Sequence, residues 1–111
     1  MTTPDTPLVT RLRAQLGGPR DGALLRYSLG NALLAQGDAA GAVRELRAAL
    51  DFDANYSAAW KSLGHALVAA GDTAAAADAW QRGIEVADAH GDVQAGKEMA
   101  VFLKRVKKPR N

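Results

Sequence analysis

Apolar residues recur every three or four positions along most of the chain, and glycine, aspartate or proline interrupts them at regular intervals. This spacing is typical of α-helices that each bury one face, and no segment alternates with the two-residue period of a strand. The pattern predicts an all-α fold with about six helices. The apolar faces contain, in order, Leu8, Val9, Leu12 and Leu16; Leu25, Leu29, Ala32 and Leu33; Ala42, Val43, Leu46, Ala49 and Leu50; Trp60, Leu63, Leu67 and Val68; Ala76, Trp80, Ile84 and Ala87; and Met99, Phe102, Leu103 and Val106.

Polar residues at the boundaries indicate where these helices begin. Thr6, which precedes a proline, is typical of the start of a first helix. Asp21, Asp38 and Asp72 are placed to accept hydrogen bonds from the free backbone N–H groups of three later helices. Glycine precedes two of these aspartates, which predicts that the preceding helix ends there.

One stretch of the pattern occurs twice. The sequence RYSLGNALLAQGD at residues 26–38 reappears as WKSLGHALVAAGD at residues 60–72, a displacement of 34 residues. Identity continues into the following helix, where Ala42 corresponds to Ala76. Chance matching in an alanine-rich chain would not keep Leu-Gly and Gly-Asp in register. The sequence therefore contains a duplicated helix–turn–helix unit.

The duplicated unit resembles the tetratricopeptide repeat, whose period and W-x2-L-G-x2-Y…A-x3-F…P pattern it partly matches. Matching positions are Leu29, Gly30, Leu33, Ala42 and Leu46 in the first unit and Trp60, Leu63, Gly64, Leu67, Ala76 and Trp80 in the second. The chain departs from the pattern at Arg26, which replaces the tryptophan, and at Ala54 and Asp88, which replace the closing prolines. The two units cover roughly 60% of the chain.

The resemblance implies a right-handed α-α superhelix that forms one domain over residues 1–111. Its parts would be an N-terminal helix within 1–20, a first repeat at 23–56, a second at 57–90 and a C-terminal capping helix with a basic tail at 92–108. Two repeats are fewer than helical solenoids usually need, so the flanking helices would cover the exposed ends. Incomplete covering would favour a homodimer through an end face.

Gly30 and Gly64 indicate where the helices of each hairpin cross closely. A glycine inside a helix costs about 1 kcal/mol relative to alanine, a cost that packing has to offset. Ala42 and Ala76 are expected to face these glycines, so we predict that a larger residue at position 64 damages the fold.

The two units differ mainly on one side of their first helices. We call the differing residues at helical spacing the groove residues: Tyr27, Asn31, Leu34, Lys61, His65 and Val68. In tetratricopeptide proteins this side commonly binds extended peptides or partner helices, so the resemblance implies a protein or peptide partner. The phenol, amide, ammonium and imidazole groups suit a carboxylate or a peptide backbone. Taken singly, each is equally compatible with solvated helix surface.

Some tetratricopeptide proteins bind a C-terminal carboxylate with lysine and asparagine on successive first helices. Asn31 and Lys61 match this arrangement in part. Residues 92–96 supply no third basic group, so the clamp itself is not predicted.

The C-terminal sequence KRVKKPRN is strongly basic, whereas the rest of the chain has an excess of acidic residues. Its cations are Lys104, Arg105, Lys107, Lys108 and Arg110. The plainer interpretation is a solvated helix end, where cations interact favourably with the helix dipole. The alternative function is a charge-driven contact with nucleic acid or an acidic partner. Nucleic acid is disfavoured, because the tail has no aromatic residues to stack on bases.

The remaining composition gives no indication of catalysis or a cofactor. The chain has no cysteine, and neither His65 nor His90 has a second ligand at helical spacing for a metal ion. Ser28 and Ser62 have no accompanying base and acid. Because the sequence shows neither a signal segment nor a membrane span, we expect a cytoplasmic, non-catalytic interaction module.

Overall fold

The computed structural model describes residues 4–107 and contains six α-helices in that range. The helices are α1 (Pro7–Arg13), α2 (Ala23–Ala35), α3 (Ala39–Phe52), α4 (Ser57–Ala69), α5 (Thr73–Ala89) and α6 (Val93–Lys107). The same range contains no strand, so the all-α prediction is confirmed. No helix within it is both long and apolar enough to cross a lipid bilayer.

The duplicated Gly-Asp sequence forms the same turn twice. Gly37 and Gly71 follow α2 and α4 with φ angles of 89° and 87°, left-handed values that side chains disfavour. The next residues, Asp38 and Asp72, accept hydrogen bonds from backbone N–H groups in the first turns of α3 and α5. Thr6 caps α1 in the same way. These three predicted caps are confirmed.

Asp21 does not cap α2, and that prediction is wrong. The position before α2 is Gly22, which has no side chain to accept a hydrogen bond. The Asp21 carboxylate instead binds Arg26 at 2.9 Å and accepts a hydrogen bond from the Gly17 N–H at 2.9 Å, and these contacts lower its pKa to about 2. Arg26 also binds Glu45 at 3.0 Å. Arg26, at the position of the tryptophan in the repeat pattern, therefore connects α2 to α3 through an ion pair.

The helices pack as two stacked hairpins with one further helix at each end. α2 packs on α3 and α4 on α5, while α3 also packs on α4 and α5 on α6. The first helices approach one another, α2 with α4 and α4 with α6, whereas no Cα atom of α3 lies within 8 Å of one in α5. The stack therefore curves, with α2, α4 and α6 on its inner side and α3 and α5 on its outer side.

The two glycines singled out in the sequence, Gly30 and Gly64, lie at close helix crossings, as predicted. A methyl group added to Gly30 would lie 2.6 Å from Cγ of Leu46, and one added to Gly64 would overlap the indole of Trp80. The nearest side chains are thus a leucine and a tryptophan that occupy equivalent positions in the two hairpins, rather than the predicted alanines. Neither crossing leaves room for a Cβ atom without displacing its neighbour.

The first helix is shorter than the sequence pattern predicts, because α1 ends at Arg13 and residues 14–20 form turns and bends. Val9 is fully buried, but Leu8 is 47% exposed, so the apolar face is narrower than predicted. Asp5 anchors the segment by binding Arg13 at 2.8 Å. α1 packs on α2 and covers one end of the stack.

Candidate functional site

The groove residues lie on α2 and α4, the two helices that are neighbours on the inner side of the stack. Tyr27, Asn31, Leu34, Lys61 and His65 are half-buried, and Val68 is 38% exposed. Partial burial means that these side chains have already lost part of their hydration. A ligand that provides hydrogen bonds and apolar contacts there has less desolvation to overcome.

On the α2 side, Tyr27 is part of the contact between the two hairpins. Its ring lies 4.9 Å from that of Tyr56, the residue immediately before α4. Burial, with smaller effects from Tyr27 and Asp53, raises the pKa of Tyr56. Tyr27 therefore helps to hold α2 and α4 together, while Asn31 and Leu34 continue along the same helix.

On the α4 side, Lys61 and His65 are directed toward α6. The Lys61 ammonium lies 3.4 Å from the Glu98 carboxylate. The His65 ring contacts two other rings edge-on, Trp80 of α5 at 5.2 Å and Phe102 of α6 at 4.5 Å between centroids. The sequence predicted α6 only as a cap, but these contacts make it a third helix of the inner wall.

A cavity of about 330 Å³ lies between α4 and α6, with part of α5 at its floor. We call it the α4–α6 cavity, and its lining residues are His65, Val68, Ala69, Trp80, Phe102, Arg105 and Val106. Most of this lining is apolar, and Arg105 is its one permanently charged side chain. The cavity can accept an apolar side chain, with hydrogen-bonding and charged groups at its edge.

The basic tail and the groove meet at this cavity. Lys104, Arg105 and Lys107 are exposed in the last turns of α6, and Arg105 contributes to the cavity lining. Lys108 and Arg110 lie outside the described residues. The sequence pattern indicated the groove and the tail as alternative binding surfaces. In the fold they lie next to each other.

The described residues offer binding groups rather than a metal centre. Within residues 4–107, no group of three or more His, Cys, Asp or Glu side chains is placed to hold a metal ion. His65 has aromatic neighbours, and its nearest charged group on α4 is Lys61, one turn away.

His65 leads to a prediction about pH. Burial, and then the positive charge of Lys61, lower its pKa below the usual 6.5. Just below pH 6.5 the unfolded chain then binds more protons than the native one, so the free energy of unfolding decreases as the pH falls from 6.5 toward the native pKa. Urea unfolding between about pH 7.5 and 5 measures this loss.

The matched control is the exposed histidine at the end of α5, His90. His65→Gln should reduce the dependence of unfolding free energy on pH, and His90→Gln should retain it. An identical dependence in wild type and His65→Gln would contradict the assignment of this effect to His65.

The stacked hairpins define a helical-repeat protein. The chain is similar to TPR repeat-containing protein PA0015 of Pseudomonas aeruginosa, with 45% identity over 103 residues that cover 93% of this chain and 98% of that protein. It belongs to the tetratricopeptide repeat family. It is also similar to protein BPP2914 from Bordetella parapertussis, with 44% sequence identity and a TM-score of 0.79 to the solution structure of that protein. The match covers 91% of this chain and 88% of that one. No protein-family model matches the chain.

Family membership confirms the resemblance drawn from the duplicated residues and agrees with the six-helix fold. Tetratricopeptide repeat proteins generally bind proteins or peptides. The chain therefore belongs to a family of protein-interaction modules.

Proposed function

We propose that this protein is a non-catalytic adaptor or scaffold that binds a peptide or partner helix on the inner side of its helical stack. The observation that carries the proposal is the α4–α6 cavity, which is bordered by two groove residues, His65 and Val68. Its volume of about 330 Å³ lies at the lower end of the range for ligand pockets. A single peptide side chain is a suitable occupant.

The surrounding contacts support binding by a rigid surface. The Lys61–Glu98 ion pair and the ring contacts of His65 join α4 to α6 on the two sides of the cavity. Helices that are fixed before the ligand arrives lose less conformational entropy on binding than a mobile loop would. Along α2, the amide of Asn31 would pair with the backbone groups of an extended peptide.

The proposal is tested with peptides selected on the wild-type protein from a random display library. We expect the double variant Asn31→Ala and Lys61→Ala to weaken their binding about tenfold, because two hydrogen-bonding side chains are removed. The matched control, Arg44→Ala and Gln81→Ala, removes one cation and one amide from exposed positions on the outer helices. Isothermal titration calorimetry gives the Kd of each pair.

Selected peptides that bind the groove double variant as tightly as wild type would contradict the proposed function. The same conclusion follows if the outer-side control weakens binding more than the groove variant does. Circular dichroism checks that both double variants keep the helical content of the wild type.

A further inference from the structure

Charge is divided unequally between the two sides of the helical stack. The inner helices α2, α4 and α6 contain six basic residues and a single acidic residue, Glu98. The outer helices α3 and α5 contain three basic and five acidic residues. The basic residues of the inner helices are Arg26, Lys61, Lys97, Lys104, Arg105 and Lys107. The excess of positive charge is thus carried by the inner helices, and most of it by α6.

Two of these cations are already in ion pairs within the fold. Arg26 binds Asp21 and Glu45, and Lys61 binds Glu98. The cations of α6 are different, since Lys97, Lys104, Arg105 and Lys107 all have exposed side chains. They lie on the helix that forms one side of the α4–α6 cavity, and Arg105 is the one that lines it. Helical spacing turns Lys104 and Lys107 away from Arg105, so they act on a ligand at the cavity through their electrostatic field rather than by contact.

The cavity itself has the opposite character, because most of its lining is apolar. Trp80 is 2% exposed and forms part of the floor, while the half-buried Phe102 and the exposed Val68 lie on either side. Arg105 is the lining residue that joins this apolar surface to the exposed cations. A ligand that satisfies both parts needs an apolar side chain with negative charges beside it.

We infer, resting on the proposed function, that the ligand of the inner wall is an acidic peptide segment that inserts one apolar side chain into the α4–α6 cavity and places its carboxylates against α6. A leucine side chain is small enough to enter a cavity of about 330 Å³. Carboxylates on the neighbouring residues face the exposed cations, with Arg105 nearest to the anchor. Arginine suits this role because its planar guanidinium can bind a carboxylate through two hydrogen bonds.

Single-stranded nucleic acid carries the right charge but fits the cavity less well. Its phosphates would meet the cations of α6, yet recognition of a strand depends on aromatic side chains exposed for base stacking. Trp80 is 2% exposed and packs against the backbone of Gly64. The cavity therefore favours an aliphatic side chain over a stacked base.

The test uses three synthetic peptides with acetylated and amidated ends, so that no terminal carboxylate contributes. The first has one central leucine with two glutamates on either side. The second replaces the glutamates by glutamines, and the third replaces the leucine by alanine. NMR titration of the ¹⁵N-labelled protein gives the Kd of each peptide and the resonances that each one moves.

The chain provides its own internal control, because its two tryptophans line different cavities. Trp80 lines the α4–α6 cavity, and its indole N–H donates to the Lys61 carbonyl at 3.1 Å. The Trp60 indole N–H donates to the Ala54 carbonyl, and its ring lines a cavity bounded by α3, α4 and α5. The glutamate–leucine peptide should shift the Trp80 indole resonance and leave that of Trp60 in place.

We expect the glutamate–leucine peptide to bind at least tenfold more tightly than its glutamine counterpart, since each exposed charge pair changes Kd by up to about fivefold. Raising the salt concentration from about 20 to 500 mM should reduce this difference, because the Debye length shortens. Arg105→Gln should raise the Kd of the glutamate peptide about fivefold without changing that of the glutamine peptide. Arg44→Gln, on the outer side, should change neither.

Several results would overturn the inference. One is that glutamine and glutamate peptides bind with the same Kd and both shift Trp80, in which case the proposed function holds and the acidic ligand is wrong. Another is that the alanine peptide binds as tightly as the leucine peptide, which would show that binding does not depend on an apolar side chain in the cavity. An oligothymidylate of the same charge that displaces the glutamate peptide at equal concentration would make nucleic acid the better ligand. If none of the three peptides moves an inner-wall resonance, the inference fails, and the proposed function is then decided by the library-selected peptides and the groove double variant.

Discussion

Gly64→Ala will lower the free energy of unfolding by about 2 to 3 kcal/mol, although alanine is the better helix former. The added methyl group would overlap the Trp80 indole, which lies against the glycine at the α4–α5 crossing. The indole cannot move away freely, because it is 2% exposed and its N–H is bound to the Lys61 carbonyl. Gly64→Val should have a larger effect of the same sign.

Gly96→Ala is the matched control, since Gly96 is also buried inside a helix. A methyl group there would lie 3.5 Å from the Asp88 carboxylate and 3.6 Å from the Ala87 methyl group, which are ordinary contact distances. We expect this variant to be more stable by up to about 1 kcal/mol, the difference in helix propensity. Urea unfolding measures both variants. Equal effects of the two substitutions would contradict the described crossing.

Trp80→Ala will lower the free energy of unfolding by about 3 to 5 kcal/mol, the usual cost of removing a large buried ring. The ring packs on Gly64, contacts His65 and Phe102, and donates a hydrogen bond to the backbone of α4. Its loss therefore loosens α4, α5 and α6 together. Trp60→Ala should cost less, because Trp60 is only half-buried.

The two sites should also be coupled. With the indole removed, a methyl group at position 64 has space, so Gly64→Ala combined with Trp80→Ala should cost less than the sum of the single changes. Chemical denaturation of the four proteins in this cycle gives the coupling energy. If the changes in unfolding free energy of the two substitutions simply add, residue 64 and the Trp80 indole are not in contact.

Much of the fold is predictable because it depends on local signals that the chain repeats. Asp38 and Asp72 begin α3 and α5, and the glycines before them end α2 and α4. Gly30 and Gly64 identify the two crossings. Asp21 does not cap α2 because Gly22 occupies the position before the helix and the Asp21 carboxylate binds Arg26, a partner that becomes close only when α2 folds.

The role of α1 was missed although the sequence contains a signal for it. The segment VTRLRAQL at residues 9–16 recurs as VRELRAAL at 43–50, displaced by the same 34 residues as the rest of the repeat. α1 packs on α2 as α3 packs on α4. It therefore corresponds to the second helix of a hairpin.

The role of α6 in the inner wall was harder to predict. Its buried residues Met99 and Leu103 correspond to Leu63 and Leu67 of α4 at a displacement of 36 residues, not 34. The difference arises because α5 has 17 residues and α3 has 14, with a shorter connection after α5. A comparison of the sequence with itself at a fixed period of 34 residues therefore does not identify α6 as the first helix of a third unit. The contact of His65 with Phe102 then depends on tertiary packing that no local pattern encodes.

The proposed binding surface combines two features that the sequence presents separately. The groove residues follow from the differences between the duplicated units, and the basic tail follows from composition. Arg105 joins them, because the last turns of α6 lie beside α4 at the cavity. Their combination gives the proposed ligand a defined chemistry, an apolar anchor among carboxylates.

The most direct test of this account is the measurement of intermolecular nuclear Overhauser effects between the labelled protein and the bound glutamate–leucine peptide. We predict contacts from the leucine methyl groups to the Val68 methyls and the Phe102 ring, on the two sides of the α4–α6 cavity. Contacts from the same methyl groups to the outer helices, for example to Arg44 of α3, with none to Val68 or Phe102, would contradict it.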